Sequence, residues 1–276
     1  MIGFREATVA DTFAILELRR RCFPEDDVDK PRAVRMFIAE EEGMPVAHLG
    51  FIPQTYVIGG KEYAGALAVD AMTDPAYRKQ GLFRRVAAFA RDAIRDQYAL
   101  STAWQIRPAV LSSMIATGWQ PVLRAPVFIR LLLRPAGSSG FLGVPRSASG
   151  GPLRGAPRSS EEPEELRGTA HAKRDPHRFA APYYVANETC VFRETTLKGQ
   201  PTLAIVDLMA RPILPPTKAR LAAALITWRH PLLPSLLRSG FLPSPYRFRF
   251  LVNAFDSRIR ADRARWALTW ADTDHL

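Results

Sequence analysis

The feature that most constrains the fold is a strand-like run that leads through a glycine into an amphipathic helix. The run LAVDAMT, residues 67–73, is broken at Asp74-Pro75 and followed by RKQG at residues 78–81. In the next segment, LFRRVAAFARDAIRDQ, apolar residues recur at helical spacing, so the sequence predicts a helix over residues 82–97. A strand joined in this way to a helix is typical of mixed α/β folds.

Positively charged side chains surround the start of this helix: Arg78, Lys79, Arg84 and Arg85. The first backbone N–H groups of a helix are unpaired and carry partial positive charge, so only an anionic ligand makes additional cations useful there. Gly81 has no Cβ and would allow a close approach to that anion. RKQGLFRR therefore predicts a pyrophosphate-binding turn, although it matches neither the GxxxxGK[ST] nor the GxGxxG pattern.

The other segments before residue 134 predict an α/β order that begins with a strand and two helices. The strand is MIGFREA, and the helices are DTFAILELRRRCF, capped by Asp11 or Thr12, and KPRAVRMFIAEEE. Three strands follow, MPVAHLGFIPQ, TYVIGGKEYAG with a hairpin turn at Gly59-Gly60, and GALAVDAMT. After helix 82–97 come a strand (YALSTAW), a helix (RPAVLSSMIAT) and a strand (WQPVLRAPVFIRLLL). We therefore expect antiparallel hairpins that lead into a parallel βαβ unit.

Residues 134–176 are rich in Pro, Gly and Ser and predict a flexible linker. Beyond it the sequence predicts two strands around Lys198-Gly199, a helix in PTKARLAAALITWR and a helix ending at Gly240. The segments YRFRFLVNAF and RWALTWA alternate as strands do.

The two halves contain a similar junction. A helix stops at Gly118 in one half and at Gly240 in the other, and each glycine is followed by an aromatic residue, a proline and a strand. This favours a duplicated fold over two unrelated α-to-β junctions. The second half has no Arg-x-x-Gly turn, and its RPILPP segment cannot supply clustered amides because proline has no N–H.

The composition limits the classes of ligand and partner that we expect for the chain. A net charge of +11 over 276 residues fits either a polyanionic ligand or a solvated arginine-rich surface. No nucleic-acid-binding module is recognisable, so we expect no nucleic-acid partner. The two cysteines, Cys22 and Cys190, give no disulfide framework and favour the cytoplasm. No run of about 20 apolar residues predicts a membrane span, and no ligand spacing predicts a metal site.

VDAMTDPAYRKQGLF resembles the acyl-coenzyme A loop of the GNAT superfamily of N-acetyltransferases. The resemblance covers about residues 2–133, since FREATVADTFAILEL and RPAVLSSMIATGW are similar to other segments of the family in the same order. It implies an α/β fold with a mixed central sheet of GNAT type and a second, smaller GNAT-like α/β half. The implied organisation is an acyl-CoA-binding domain (1–133), the linker (134–176) and a degenerate GNAT-like domain (177–276). Tandem GNAT-like bacterial proteins, some associated with polysaccharide biosynthesis, have this layout.

The resemblance implies that acetyl-CoA is a co-substrate. The amides of Gln80, Gly81, Leu82 and Phe83 would bind its pyrophosphate, with Arg78, Lys79 and Arg84 adding charge. The backbone of Ala71, Met72 and Thr73 would pair with the pantetheine arm, and the separating strands 67–73 and 98–104 would admit the thioester. The implied reaction is direct acetyl transfer to a primary amine of a small molecule or saccharide. A catalytically weak or inactive acyl-CoA-binding or scaffold protein of the same fold is the alternative.

Three positions depart from the family pattern. Phe83 stands where Gly or Ala is usual, Arg107 where Asn is usual, and Met114 where a tyrosine usually protonates the thiolate. Methionine cannot donate a proton, so the general acid is absent or supplied elsewhere. Asp70 is the candidate base, with pairing to a loop amide or an arginine as its structural alternative. His48 is predicted to be a buried strand histidine, and Glu40, Glu41 and Glu42 a solvated run.

Overall fold

The computed structural model describes residues 1–24, 33–105, 108–132, 169–173, 184–186, 189–215 and 217–273. The chain divides into two compact units. Unit 1 comprises Met1–Tyr56, Glu62–Leu123 and Arg249–Arg263, and unit 2 comprises Val57–Lys61, Arg124–Phe248 and Ala264–Leu276. Most of the predicted linker lies outside the described residues, and the boundaries 1–133, 134–176 and 177–276 stay a prediction.

Unit 1 is built on a mixed sheet with helices on its two faces. Its elements are β1 (Gly3–Glu6), a 3-10 helix (Val9–Asp11), α1 (Thr12–Cys22), β2 (Arg35–Glu41), β3 (Met44–Ile58), β4 (Lys61–Thr73), a 3-10 helix (Pro75–Tyr77), α2 (Leu82–Ile94), β5 (Leu100–Gln105) and α3 (Pro108–Ala116). β1, β2 and β3 pair antiparallel in that order, β3 and β4 form a hairpin, and β4 and β5 pair parallel. The predicted parallel βαβ unit is confirmed.

The buried side chains of β2 alternate between two clusters. Phe37 packs with Val86 and the other apolar residues of α2, whereas Ile38 packs with Leu18 of α1. Such alternation is what a strand covered by a helix on each face requires. The prediction of a helix over residues 30–42 is therefore wrong for the part described, since residues 35–41 are a strand paired on both edges.

Two long strands, β3 and β4, take the place of the three shorter strands predicted between residues 44 and 73. β3 runs without interruption through Pro53 and past Gln54, where the first of these strands was predicted to end. Its pairing with β2 ends at Phe51, so the missing N–H of Pro53 removes no hydrogen bond from that ladder. The predicted Gly59-Gly60 turn is confirmed, and both glycines have positive φ, 58° and 77°.

Unit 2 is also built on strands that pair in a mixed parallel and antiparallel arrangement. Its elements are β6 (Gln120–Leu131, from Arg124 onward in this unit), β7 (Ala170–Ala172), β8 (Tyr184–Ala186), β9 (Cys190–Leu197), β10 (Gln200–Leu208), β11 (Leu221–Leu225), α4 (Leu233–Arg238), β12 (Leu242–Ala254, up to Phe248 in this unit) and a 3-10 helix (Trp270–Asp272). The strand order includes β8-β9-β10-β11-β6, in which only β10 and β11 pair parallel. Phe128, Phe192, Leu236 and Phe241 are fully buried at its core.

Two predictions for this unit are wrong. The helix expected in PTKARLAAALITWR is replaced by β11, whose Ala222, Ala223 and Ala224 are buried between two neighbouring strands. The strand expected in RWALTWA is replaced by isolated bridges at Trp266 and Thr269 and the short 3-10 helix.

The predicted repeat is present in three dimensions. Gly118 and Gly240 both have positive φ, 97° and 83°. The next amide bonds back into the preceding helix in both cases, Trp119 N to Met114 O at 3.2 Å and Phe241 N to Leu236 O at 3.4 Å. These are Schellman-type helix ends.

Strand pairing repeats as well. In unit 1, β5 pairs parallel with β4 and antiparallel with residues 249–254 of β12. In unit 2, β11 pairs parallel with β10 and antiparallel with residues 127–131 of β6. In each unit, the strand beside the parallel pair therefore comes from the other half of the sequence. In the described part of the chain, no helix has the length and apolarity to cross a membrane.

Candidate active site

Strands β4 and β5 separate at the edge where the active site was expected. Their parallel pairing runs from Gly65 opposite Leu100 to Ala68 opposite Ala103 and goes no further. Residues 69–73 of β4 therefore have no β5 partner, which leaves backbone on that side available to a ligand. Ala71, Met72 and Thr73, the predicted pantetheine-binding residues, lie in this segment. The Thr73 carbonyl already accepts from Cys22 Sγ and Arg78 Nε, both at 3.3 Å.

The backbone of β4 is distorted at Asp70, just beyond the last paired residue. Asp70 has a φ of +52°, a left-handed conformation that is uncommon for a residue other than glycine. His48 Nδ1 donates to the Asp70 carbonyl at 2.8 Å, and Arg19 Nη1 donates to Asp70 Oδ1. Contacts from β3 and α1 thus hold both the backbone and the carboxylate of Asp70. A strained backbone conformation persists only where surrounding contacts of this kind stabilise it.

The Arg19–Asp70 pair is buried, with side-chain exposures of 6% and 5%. Pairing with an arginine is the structural role that the sequence left open for Asp70 beside catalysis. The sequence analysis missed Arg19. Its burial could have been predicted from the helical spacing of α1. The buried stripe of that helix contains Ile15, Leu18, Arg19 and Cys22.

His48 is a buried strand histidine, as predicted. Its burial lowers the pKa of the imidazole, so the ring is neutral and carries its proton on Nδ1, which donates to Asp70. Nε2 is buried and has no hydrogen-bond partner among the described residues. Because the residue is fully buried, it has no contact with solvent and offers no direct path to an acceptor amine.

A capped 3-10 turn fixes where the chain leaves β4. Asp74 N donates to Val46 O at 2.9 Å, and Asp74 Oδ1 accepts from Ala76 N at 3.0 Å. Arg21 Nε donates to the other carboxylate oxygen of Asp74 at 2.7 Å. Asp74 of the Asp-Pro break seen in the sequence is therefore the N-cap of the 3-10 helix, and it fixes the direction in which the chain continues.

The turn formed by residues 78–84, called the 78–84 turn below, follows this cap. Lys79 and Gly81 both have left-handed backbone conformations, with φ of 65° and 72°. Gly81 is the N-cap of α2. The four residues from Arg78 to Gly81 are exposed, and a Cβ built on Gly81 meets nothing within 4 Å. The turn therefore presents its backbone to open space.

Apart from Arg78 N, which donates to Pro75 O at 3.5 Å, the amides of this turn have no hydrogen-bond partner among the described residues. Between Lys79 and Arg84, no backbone N–H donates to another described group, and the first amide to do so is Arg85 N, to Gly81 O at 3.2 Å. Unpaired amides at a helix start, with exposed cations beside them, are the groups that bind a phosphate. The residues present therefore fit a diphosphate.

Two bulky side chains, one in the turn and one directly after it, are directed elsewhere. Phe83 is partly buried and packs against the core cluster of unit 1. Its size, unusual for the family, is thus accommodated by the core. The Arg85 guanidinium lies 4.5 Å from the centre of the Phe4 ring, whereas Arg84 is exposed and forms no ion pair in the described part of the chain.

The expected general-acid position holds no acid. Met114 is 2% exposed and packs in the core with Ala103 and Trp119. Arg107 lies outside the residues whose placement is described. Tyr77 is the nearest phenol in sequence to the 78–84 turn, and it donates to Glu41 at 2.6 Å. That hydrogen bond raises the pKa of Tyr77, and it shows that Glu41 is not simply solvated.

Unit 2 has no second turn of this kind in its described residues. The segment between β10 and β11 forms no helix where it is described, and it contains Pro212 and Pro215. Among the described side chains, no group of three or more His, Cys, Asp or Glu residues could hold a metal ion.

Comparisons with known proteins agree with the fold. Residues 3–120 match the model of the acetyltransferase (GNAT) domain. GCN5-related N-acetyltransferases from Kribbella flavida and from Anabaena variabilis ATCC 29413 share 12% and 11% identity with the chain, with a TM-score of 0.60 each. The first match covers 93% of this chain and 73% of that one, and the second covers 92% and 73%. Eis1 from Mycobacterium abscessus is similar at 12% identity and a TM-score of 0.62, over 93% of this chain and 74% of that one.

At these identities the structural matches show the fold alone, and they extend over both halves. No curated protein matches the chain in sequence. The fold is of the GNAT type, and residues 3–120 are similar to GNAT acetyltransferase domains.

Proposed function

We propose that the protein is an acetyl-CoA-dependent N-acetyltransferase whose 78–84 turn binds the coenzyme A diphosphate. The observation that carries the proposal is the exposed turn in which no N–H from Lys79 to Arg84 has a described acceptor. The amides of Gln80, Gly81, Leu82 and Phe83 would contact the diphosphate, and Arg78, Lys79 and Arg84 would neutralise it.

When bound, acetyl-CoA supplies a thioester whose acetyl group an amine can attack directly. The unpaired β5-side edge of Ala71, Met72 and Thr73 is the proposed binding surface for the pantetheine arm. This edge leads from the point where β4 and β5 separate toward the 78–84 turn, so one extended ligand can contact both.

Asp70 is the proposed base that takes the proton of the amine, directly or through a water molecule. It lies at the separation of the two strands, and Arg19 fixes its carboxylate. The proposed acceptor is a primary amine on a small molecule or a saccharide. We place the protein in the cytoplasm because both cysteines are free and buried.

A second candidate is an acyl-CoA-binding or scaffold protein of the same fold with weak or no turnover. Two observations favour it. Met114 cannot protonate a thiolate, and the carboxylate of Asp70 is occupied by an ion pair.

Two measurements separate these functions. Calorimetry with coenzyme A tests binding, and thiol release from acetyl-CoA in the presence of primary amines and amino sugars tests turnover. Binding with amine-dependent thiol release supports the enzyme, and binding without release for every amine supports the second candidate. No binding at all overturns both.

A further inference from the structure

Unit 2 contains a cavity of about 360 Å³ lined by arginines, called the arginine cavity below. Its lining residues are Arg130, Arg211, Pro212, Arg238, Ser239 and Gly240. The three arginines come from three different elements, namely β6, the segment after β10 and the last turn of α4. Among the described residues, no acidic side chain lines the cavity.

The three guanidinium groups have no counter-charge in the described part of the chain. None of Arg130, Arg211 and Arg238 forms a described ion pair. Their one described side-chain hydrogen bond is a long contact of 3.5 Å from Arg238 Nη2 to Ser235 Oγ. Like charges that line one cavity repel each other, so an anion that binds between them is stabilised by all three.

Neighbouring backbone carbonyls do not supply the missing negative charge. Ser239 N and Ser239 Oγ donate to Ser235 O, and Gly240 N donates to Leu237 O. Leu236 O accepts from both Ser239 N and Phe241 N. The last carbonyls of α4 are therefore already hydrogen-bonded, and the guanidinium donors remain available to a ligand.

A comparison of the two repeated units explains why the arginine cavity exists in unit 2. In unit 1, the segment between the parallel strands forms α2, whose Arg91 reaches the end of α3 and donates to Thr117 O at 3.3 Å. In unit 2, the segment between β10 and β11 forms no helix in its described residues, and the equivalent end of α4 lines the cavity instead.

Arg130 is also specific to unit 2. The repeated strand pairing sets Arg130 of β6 in the place that Asn253 of β12 takes in unit 1. Asn253 is 6% exposed and lies beside Gly118, whereas Arg130 extends beside Gly240, with its Nε 3.7 Å from a Cβ built there. A position that is uncharged in one copy of the repeat thus carries a cation in the other.

We propose that the arginine cavity binds a phosphate dianion, either inorganic phosphate or the phosphate group of a small monoester. Arginine forms paired hydrogen bonds with phosphate oxygens, which suits a site built from guanidinium groups. The volume lies at the lower end of the range for small-molecule sites, so the ligand is small. This site is separate from the 78–84 turn and does not depend on acyl transfer.

The test is calorimetric titration of the full chain with inorganic phosphate and with glycerol 3-phosphate at fixed ionic strength. The triple variant Arg130→Gln, Arg211→Gln, Arg238→Gln removes the cavity cations. The matched control is Arg124→Gln, Arg220→Gln, Arg229→Gln, which removes the same charge from exposed positions of unit 2 outside the cavity. Both proteins are titrated on the Gly81→Glu background, so that binding at the 78–84 turn does not contribute.

We expect the control to bind at least one of the two ligands and the cavity variant to lose about tenfold or more in affinity for it. Stronger binding of glycerol 3-phosphate than of inorganic phosphate identifies the ligand as a phosphate monoester. Equal binding of the two shows that the phosphate group alone is sufficient for binding. Equal affinities of the two triple variants, or no binding by the control, overturn the proposal. Arg238→Gln alone, at an exposed position, serves as a second variant if the triple variant does not fold, and an unchanged affinity there is equally contradictory.

Discussion

Arg19 of α1 and Asp70 of β4 form an ion pair that is almost completely removed from solvent. It holds β4 at the residue where the strand takes a left-handed conformation and turns away from β5. The same contact thus secures the helix to the sheet and shapes the proposed acetyl-CoA site. The contribution of this position to stability and its proposed catalytic role can be separated by mutating the two partners individually.

Arg19→Met leaves the Asp70 carboxylate buried without its cation. We expect a loss of about 3–5 kcal/mol in the free energy of unfolding, measured by urea denaturation. The control is Arg20→Met, because Arg20 pairs with Glu17 at the surface, where side-chain exposures are 54% and 37%. That variant should change stability by less than about 1 kcal/mol. Equal losses in the two variants would contradict a special role for the buried pair.

Asp70→Asn tests the proposed base. Asparagine accepts the left-handed backbone of this position but cannot take a proton from the amine. We expect kcat for acetyl transfer to fall by about 10²- to 10⁴-fold, with the affinity for coenzyme A near that of the wild type. The measurement is a pH–rate profile of each protein at a temperature where both are folded. If the two profiles have the same shape and similar kcat, another group is the base.

A truncated chain of residues 1–176 should not form a stable unit 1. It lacks residues 249–254, which pair with β5, and so leaves an open strand edge. We expect aggregation or a non-cooperative thermal transition, measured by size-exclusion chromatography and circular dichroism. Co-expression with residues 177–276 should restore a folded species. A monomeric fragment with a melting curve like that of the full chain would instead support residues 1–133 as an independent domain.

Acid should weaken the contact between Arg5 and Asp11. Hydrogen bonds from Arg5, at 2.7 and 2.8 Å, hold the pKa of Asp11 well below its ordinary value of 3.8. Because the pKa of Asp11 is lower in the folded state, its ionisation stabilises the fold at pH values above the pKa of Asp11 in the unfolded state. This contribution is lost as the pH falls toward the pKa of Asp11 in the folded state. Arg5→Gln removes the main cause of the lowered pKa.

The melting temperatures of the wild type and Arg5→Gln should therefore differ most near neutral pH and converge as the pH falls below about 4. The control is Arg220→Gln, because Arg220 is exposed and forms no described ion pair. A difference between wild type and Arg5→Gln that is independent of pH would show that the contact does not act through the ionisation of Asp11.

The sequence predicted the elements whose signals are local. Gly81, Gly118 and Gly240 mark helix boundaries because left-handed backbone is required there, and their φ values are 72°, 97° and 83°. The predicted helix over 82–97 is present as residues 82–94. These features depend on neighbours along the chain, which a sequence displays directly.

The failures are segments whose structure depends on distant pairing. Ala222, Ala223 and Ala224 have high helix propensity, yet they form a strand because β10 and β6 hydrogen-bond to both of its edges. Arg19 was missed for a similar reason, since its partner is 51 positions away. Propensity and spacing do not encode such contacts.

The affinity for coenzyme A, measured by calorimetry in wild type and Gly81→Glu, is the decisive test of diphosphate binding by the 78–84 turn. Glutamate at this position would bring negative charge and bulk to the open face of the 78–84 turn. Gly199→Glu is the matched control, since Gly199 also has a left-handed backbone, with φ of 76°, and open space around it. We expect wild type and Gly199→Glu to bind coenzyme A and Gly81→Glu to show no binding. Equal affinity in all three proteins would contradict diphosphate binding by this turn.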